Sequence, residues 1–555
     1  QENTDTMEFR TEFGRTTYKE KYASNPYETW DDKAHAVVNS VCGTYDGKKN
    51  NIMSKSEQDQ LVRYISEFKF MPGGRYLWYA ARLARYYNNC YLLKLEEDSR
   101  EEWAGVTQRA MSCLMTGGGI GVDVSVARPS GRPLRRTGGV ASGPLPLLFT
   151  LNEVGRNVMQ GGSRRSALYG SLNWGHEDAM SLLHAKNWHD MEVGGTTLAE
   201  LKKQDFNFPA PLDMMNVSLN YDDAWLNGQG RESDPLFLEN VKQAMMTGEP
   251  GFSFNFGEKQ NETLRNACCE ITSSDDSDVC NLGSVNLANI ENIEEFKDVV
   301  GLGAKFLVCG LIRAQLPYEK VEEVRQKNSR IGLGLMGMHE WLLKRGYNYS
   351  FVPELEQWMK VYERESKRSA DEHCDRLFLN RPKGYRAIAP TGSISILAGC
   401  GGSGVEPIYA VSYRRRYLQD GTKWKYQFVV DSSAEVLIKE GIDPDKIETA
   451  VDLAAEPERR IKFQHSLQKY VDHAISSTLN LPAWGSELNN EDKIPEFARV
   501  ISKYAPGLRG LTVYPDGSRG GQPITAVPYK EAHAKRGVVF EDNSEEQCKS
   551  GVCGI

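Results

Sequence analysis

An amide, two thiols and a carboxylate stand within five residues at Asn266-Ala267-Cys268-Cys269-Glu270, and Cys280 follows in Cys-Asn-Leu-Gly-Ser. In an extended strand, alternate side chains share a face. That spacing puts Asn266, Cys268 and Glu270 on one side and Ala267 and Cys269 on the other. A thiol between a hydrogen-bonding amide and a possible base is equipped for catalysis. The pattern is short, however, and on its own it favours buried cysteines acting as small hydrophobes. The remaining cysteines decide between these readings.

The chain has 555 residues and 11 cysteines, an odd number spread over a long sequence. This is not the disulfide framework of a small secreted domain. Cys42, Cys113, Cys309 and Cys374 stand singly in apolar or helical surroundings and read as packing residues. Cys400 lies in a Gly-rich loop and is undecided. Cys548 and Cys553 are separated by four residues in a polar, acidic C-terminal segment. A structural zinc site needs about four ligands, and the nearest histidine, His533, is well upstream. A tethered thiol pair suits disulfide exchange, which needs access and mobility. The alternative, two adventitious exposed thiols, is a liability that sequences tend to avoid.

Three Gly-rich stretches are candidates for phosphate contacts. Pro390-Thr391-Gly392-Ser393-Ile394 offers hydroxyls and free N–H groups ahead of an apolar segment, which suits either an anion or a plain helix cap. Gln160-Gly161-Gly162-Ser163-Arg164-Arg165-Ser166 follows a helix-like run from Leu147 to Met159. Its arginines could recognise planar or phosphate groups, or it is an ordinary basic loop. Gly332-Leu333-Gly334-Leu335-Met336-Gly337 matches G-x-G-x-x-G literally. It follows a polar, helix-like stretch where a dinucleotide site requires a strand, so it reads as close helix packing.

Composition sets the frame for these residues. The chain is 40% hydrophobic and 26% charged, with a formal net charge of -8, so it lacks a global basic footprint for nucleic acid. No apolar run is long enough to span a bilayer, and the N-terminus has no signal-peptide core. From these features an intracellular, cytoplasmic protein with reduced thiols is expected. Residues 1–85 read as mostly helical. From about Cys90 to Tyr529, strand-like runs alternate with helical patterns and Gly-rich turns, an α/β signature. Residues 531–555 read as a flexible tail.

Taken in order along the chain, these motifs closely resemble the large chain of ribonucleotide reductase. The resemblance runs from Met71-Pro72-Gly73-Gly74 to the C-terminus. It includes Asn88-Asn89-Cys90, Gly118 to Asp123, Thr137 to Pro144, Gln160 to Ser166, Asn266 to Glu270, Cys280 to Ser284, Asn328 to Met336, Ala389 to Ser395 and the tail cysteines. It implies a ten-stranded α/β barrel over residues 86–530, built from two antiparallel halves of five parallel strands, with a central finger loop carrying Cys268. It also implies roles. Cys268 would be the thiyl radical that takes the ribose 3′-hydrogen, and Glu270 the base on the 3′-hydroxyl. Asn266 would hold the substrate hydroxyls. Cys90 and Cys280 would supply two electrons and end as a disulfide. Cys548 and Cys553 would reduce that disulfide and be recharged by a thioredoxin- or glutaredoxin-like protein. Asn89, Pro390, Thr391, Gly392, Ser393 and Ile394 would bind the substrate. Gln160, Gly161, Gly162, Ser163, Arg164 and Arg165 would relay the identity of a nucleotide effector, bound at a dimer contact if the chain forms a homodimer. Cys269 has no role in the family pattern.

The family divides by the source of the radical. Chains served by a metal-containing subunit usually carry two adjacent tyrosines near the C-terminus. The matching segment here, Leu511 to Arg519, has Tyr514 followed by Pro515 and resembles the adenosylcobalamin-dependent class. Tyr86-Tyr87 is a tyrosine pair in the wrong place. The alternative is a class I catalytic chain whose radical comes from a separate metal-containing subunit. Residues 1–85 lack the family's ATP-cone pattern, so no dATP inhibition through such a domain is expected. A glycyl-radical enzyme would need a C-terminal glycyl motif and no tail thiols. A zinc module built on Cys268, Cys269, Cys280 and a tail thiol would bind metal without turnover.

Overall fold

The computed structural model describes residues 8–43, 52–158, 167–419, 423–518, 524–536 and 539–541. The N-terminal region is helical, as its sequence pattern predicts. Helices Glu12–Lys21, Trp30–Cys42 and Lys55–Ser66 open on Thr11, Thr29 and Ser54, whose side chains each accept a first-turn N–H. These caps satisfy N–H groups that have no partner inside the helix. The helices bury a shared aromatic face in which Trp30 stacks on Phe68 at 5.0 Å. Strand β1 (Phe70–Pro72) then leads toward the barrel.

Five parallel strands form the first half of the wall. They are β2 (Cys90–Lys94), β3 (Gly119–Asp123), β4 (Leu168–Asn173), β7 (Met215–Tyr221) and β8 (Gly251–Phe254), paired in that order. A short hairpin, β5 (Glu192–Val193) with β6 (Thr196–Thr197), lies apart from the wall. Parallel neighbours need long crossovers. Helices such as Arg100–Met115, Leu145–Asn157 and Pro235–Thr247 provide them. The strands are covered on both faces and so are nearly continuously buried.

The second half contains β11 (Asp278–Asn286), β12 (Ile331–Met336), β15 (Thr478–Leu481) and β16 (Gly510–Pro515). Strand β12 runs parallel to β11, and β15 parallel to β16. Between β12 and β15 the chain at 385–388 is hydrogen-bonded on both sides. Leu333 N donates to Tyr385 O at 3.0 Å, and Ile388 N donates to Ala474 O at 3.1 Å. Parallel bridges at Leu333–Arg386 and Ile388–Ile475 fit the same path. The two halves meet at two antiparallel seams, β8 with β16 and β2 with β11. This is the architecture that the family resemblance implies.

The G-x-G-x-x-G run is not helix packing. Residues Ile331–Met336 are strand β12, and Gly337 at φ 70° turns the chain into helix Met338–Lys344. Its glycines make room across the wall: a Cβ at Gly332 would lie 2.5 Å from Leu282 and 3.2 Å from Cys280 Sγ. A helix-like flank misled the pattern, because the helix before it, Glu319–Asn328, ends at Ser329 in a left-handed turn.

Two short strands, β9 (Leu264–Arg265) and β10 (Thr272–Ser273), pair antiparallel as the stem of a finger loop. The hairpin β13 (Ser412–Gln419) and β14 (Lys423–Val430) is flanked by β17 (Ile524–Ala526) and β18 (Val539–Glu541). The start of the segment read as a flexible tail thus contributes to helix Tyr529–Ala534 and to an edge strand on that hairpin. Among the described residues no helix is long and apolar enough to cross a membrane.

Candidate active site

The register of one seam builds the centre of the site. Strands β2 and β11 are antiparallel with Cys90 directly opposite Cys280. Directly opposed residues have Cβ atoms about 4.5–5.5 Å apart, and a disulfide spans Cα atoms about 4.4–6.8 Å apart. The two thiols are therefore placed to close a disulfide with little backbone movement. Both are buried, in a small apolar cluster with Leu92, Leu264, Ile271, Leu282, Ala387 and Ala389. Burial and the Glu270 charge push the Cys90 thiol up to about 12, against the pull of Asn266. Burial also raises Cys280.

The finger tip lies against this pair. Asn266 Nδ2 donates to Cys90 Sγ at 3.2 Å, and Asn266 Oδ1 accepts from Ile271 N at 3.1 Å. The expected strand alternation through 266–270 does not occur. Cys269 N donates to Asn266 O at 3.0 Å, and Cys269 has φ 66°. A tight turn replaces the strand, so Cys268 stands at its apex and does not share a pleated face with Asn266 and Glu270. Two strands that leave and return within six residues need such a turn.

Cys268 is the thiol of this group that meets solvent-accessible space, although protein surrounds it at longer range. Burial first, then the Glu270 charge, raises its pKa well above that of an ordinary thiol. It is therefore held as S–H near neutral pH, which suits hydrogen-atom chemistry better than nucleophilic attack. Glu270 is buried, and its Oε2 has no hydrogen-bond partner among the described residues. Burial pushes its carboxyl up to about 7, with the Asn266 side chain pulling the other way. A carboxyl poised there can accept or give a proton at working pH.

Residues that no spacing pattern revealed hold the finger. Arg265 is fully buried and donates to Asn255 Oδ1 at 2.8 Å and to the carbonyls of Leu264, at 3.1 Å, and Arg509, at 3.0 Å. Thr272 N donates to His473 Nδ1 at 3.1 Å, and Ala474 N donates to Glu270 O at 2.9 Å. Gly121 on β3 makes room for the stem, since a Cβ there would sit 1.7 Å from Arg265 O.

The segment from Ala387 to Ala389 leaves the cysteine cluster and enters Pro390-Thr391. Thr391 has φ 53°; its Oγ1 accepts from Gly404 N at 2.7 Å and lies 2.7 Å from Ser395 Oγ. Gly392, exposed, and Ser393, partly exposed, then open helix Gly392–Ala398. Helix Glu12–Lys21 packs on this turn: a Cβ at Gly14 would lie 2.7 Å from Ile396 O, and Lys21 Nζ is 3.5 Å from Ser393 Oγ. Arg10 ties that contact down, donating to Gly399 O at 3.1 Å and to the buried Glu340 carboxylate at 2.6 and 2.9 Å. Asn89, next to Cys90, keeps a buried Oδ1 without a hydrogen-bond partner among the described residues. Gln160, Gly161, Gly162, Ser163, Arg164, Arg165, Cys548 and Cys553 lie outside the described residues. No group of three or more metal-ligating side chains suited to a metal ion occurs among the described residues.

The family model for the ribonucleotide reductase barrel domain matches residues 88–225, 231–363 and 382–514. The chain belongs to the ribonucleotide reductase family. It is 26% identical over 553 residues to a vitamin B12-dependent ribonucleoside-diphosphate reductase of Mycobacterium tuberculosis, covering 88% of this chain and 76% of that one. A protein of the same name from Thermoplasma acidophilum is 24% identical over 548 residues, covering 87% of this chain and 69% of the other. The class Id ribonucleotide reductase alpha subunit of Actinobacillus ureae superposes with a TM-score of 0.69 at 16% identity, over 92% of this chain and 98% of that one. That likeness concerns the reductase fold. The matched barrel includes β2, the finger loop and β11, and so all five residues of the thiol site.

Proposed function

We propose that this ribonucleotide reductase forms 2′-deoxyribonucleotides through a thiyl radical on Cys268, with adenosylcobalamin as the generator of that radical. The observation that carries the reading is the Cys90–Cys280 register, with Cys268 at the tip of a loop packed on it. The Cys268 radical takes the 3′-hydrogen. Glu270, as carboxylate, accepts the 3′-hydroxyl proton. Cys90 and Cys280 give two electrons and two protons as the 2′-hydroxyl leaves as water, and they end as a disulfide. Cys268 then returns its hydrogen to the 3′-carbon. Asn266 would hold the substrate hydroxyls, its amide lying between Cys90 and Glu270. Asn89 and the turn from Pro390 to Ile394 bind the substrate, its phosphates lying against Thr391, Gly392 and Ser393.

The radical source is supported by the vitamin B12 dependence in the names of the relatives and by the single Tyr514-Pro515 at the relay position. The site fits such a group in one respect: Cys268 faces open space, so a bound molecule could reach its sulfur directly. When bound, adenosylcobalamin would supply the hydrogen-abstracting equivalent that converts the Cys268 thiol to a thiyl. Cys548 and Cys553 would then reduce the Cys90–Cys280 disulfide and be recharged by a thioredoxin- or glutaredoxin-like protein. The loop from Gln160 to Arg165 would couple a nucleotide effector to base choice.

The test is incubation of the chain alone with a ribonucleoside di- or triphosphate, an effector nucleotide, dithiothreitol and adenosylcobalamin. Deoxynucleotide formation with no second protein supports the reading. Product that appears only with a metal-loaded partner subunit overturns the cofactor assignment. No product under either condition overturns the activity.

A further inference from the structure

A second group of buried reactive side chains lies where the N-terminal helices meet the barrel. Cys42 is the last residue of helix Trp30–Cys42, Cys309 lies in helix Ile293–Arg313, and His373 in helix Pro353–Arg376. All three are fully buried. Cys309 Sγ lies 3.3 Å from His373 Nε2 and 4.0 Å from Ile52 O, and Cys42 is a neighbour close enough that the two thiols shift one another's titration. His373 Nδ1 has no hydrogen-bond partner among the described residues. Arg313, one turn beyond Cys309, donates to Gly43 O at 2.6 Å, which sets its guanidinium at the end of the Cys42 helix.

Read from sequence, Cys42 and Cys309 are packing residues. Packing alone does not call for this surrounding. A cysteine among apolar side chains keeps its proton and is inert. Here the two thiols diverge. Burial and the neighbouring sulfur raise Cys42. Cys309 is lowered despite its burial, by Cys42, His373 and Arg313. Cys309 therefore gives up its proton more readily than Cys42, and His373 Nε2 stands beside it to accept that proton. Two sulfurs so matched are set for oxidation to a disulfide.

We propose that Cys42 and Cys309 form a second redox pair, distinct from Cys90 and Cys280, that a peroxide closes into a disulfide joining the N-terminal helices to the barrel. The Cys309 sulfur attacks one peroxide oxygen. An S–O bond forms and the O–O bond breaks; His373 Nε2 accepts the Cys309 proton as the sulfur attacks and passes it to the leaving hydroxide, which departs as water. The Cys42 sulfur then displaces the sulfenic hydroxyl, which leaves as water with the Cys42 proton. Two thiols and one hydrogen peroxide give one disulfide and two waters. Both sulfurs are fully buried, so peroxide reaches them when the end of the Cys42 helix, held by Arg313 at Gly43 O, opens locally.

The experiment uses the intact protein and needs no variant for its main readout. Reduced protein is titrated with hydrogen peroxide, alkylated, digested without reduction and analysed by mass spectrometry. The expected result is a Cys42–Cys309 cross-linked peptide that grows with peroxide and disappears on treatment with dithiothreitol. The same peptide is expected in a Cys90→Ser, Cys280→Ser variant. His373→Gln should slow its appearance about tenfold or more, since both the base and the leaving-group proton are lost. Both thiols remaining alkylated at peroxide doses that have already oxidised Cys90 and Cys280 would overturn the proposal. So would a cross-link that forms at an unchanged rate in His373→Gln. The readout is a peptide mass, so it stands or falls independently of nucleotide reduction.

Discussion

Replacing Glu270 by glutamine should make the protein more heat-stable at alkaline pH while removing its activity. The folded protein holds the Glu270 carboxyl near 7, against 4.5 for an ordinary glutamate, because the group is buried. Between those values the folded chain keeps a proton that the unfolded chain has released. Stability from this group is therefore fully present below about pH 4.5 and is lost as pH rises through about 7. At about 1.4 kcal/mol per pH unit, the whole effect is about 3 kcal/mol. A 555-residue chain at about 2.1 cal/mol/K per residue unfolds with an entropy of about 1.2 kcal/mol/K, so the effect corresponds to about 3 °C. The glutamine side chain is neutral at every pH and escapes the loss. The difference in Tm between Glu270→Gln and the parent should therefore widen by about 2–3 °C between pH 5 and pH 8. Scanning fluorimetry on both proteins measures it, and all other titrating groups cancel in the difference. Turnover in the variant should fall about 10²- to 10⁴-fold, the usual worth of a general base. In the parent, kcat/KM should rise with pH and level off above about 7 as the carboxylate forms. A Tm difference that stays flat from pH 5 to 8 would refute the burial argument. A variant with full turnover would refute the assignment of the base.

Three further outcomes are expected. Cys268→Ser should reduce nucleotide turnover to background with Tm within about 1 °C of the parent, because the side chain faces open space and little packing is lost. Gly121→Ala drives a methyl into the carbonyl of Arg265; overpacking of this kind costs about 1–3 kcal/mol, so both a lower Tm and a lower kcat are expected as the finger stem shifts. Cys548→Ser with Cys553→Ser should leave about one product per pre-reduced site and normal dithiothreitol-driven activity while stopping thioredoxin-driven cycling; sustained thioredoxin-dependent turnover would exclude the shuttle.

The sequence carries the identity of the reactive groups better than their arrangement. Asn266, Cys268, Glu270, Cys90 and Cys280 were all legible as residue types in family motifs, and the structure brings them together. Their geometry was not legible. Alternation was the natural reading of Asn266-x-Cys268-x-Glu270, but the left-handed backbone at Cys269 breaks it, and no composition signal marks a non-glycine residue in that conformation. The opposition of Cys90 and Cys280 depends on strand register between segments far apart in sequence, which local spacing cannot express. Strand β12 looked helical because a helix precedes it and its glycines hide its β pattern. Arg265 and His473 hold the finger from inside, where charged or polar residues are least expected. The meeting of Cys42, Cys309 and His373 is a product of tertiary packing alone.

The cysteine pair at the centre of the site sits on one of the two joints between the halves of the barrel wall. Its oxidation would add a covalent bond to a hydrogen-bonded joint. Joining residues about 190 apart removes unfolded-chain entropy worth about 5 kcal/mol by the loop-closure estimate. On the proposed mechanism, the enzyme that has just made its product is the cross-linked form, and the enzyme ready for substrate is held at that joint by hydrogen bonds alone. Fatigue and hardening coincide. A cell short of reducing power would hold this protein idle in its most durable form, and restoring the electron supply would loosen it and start it working in the same step.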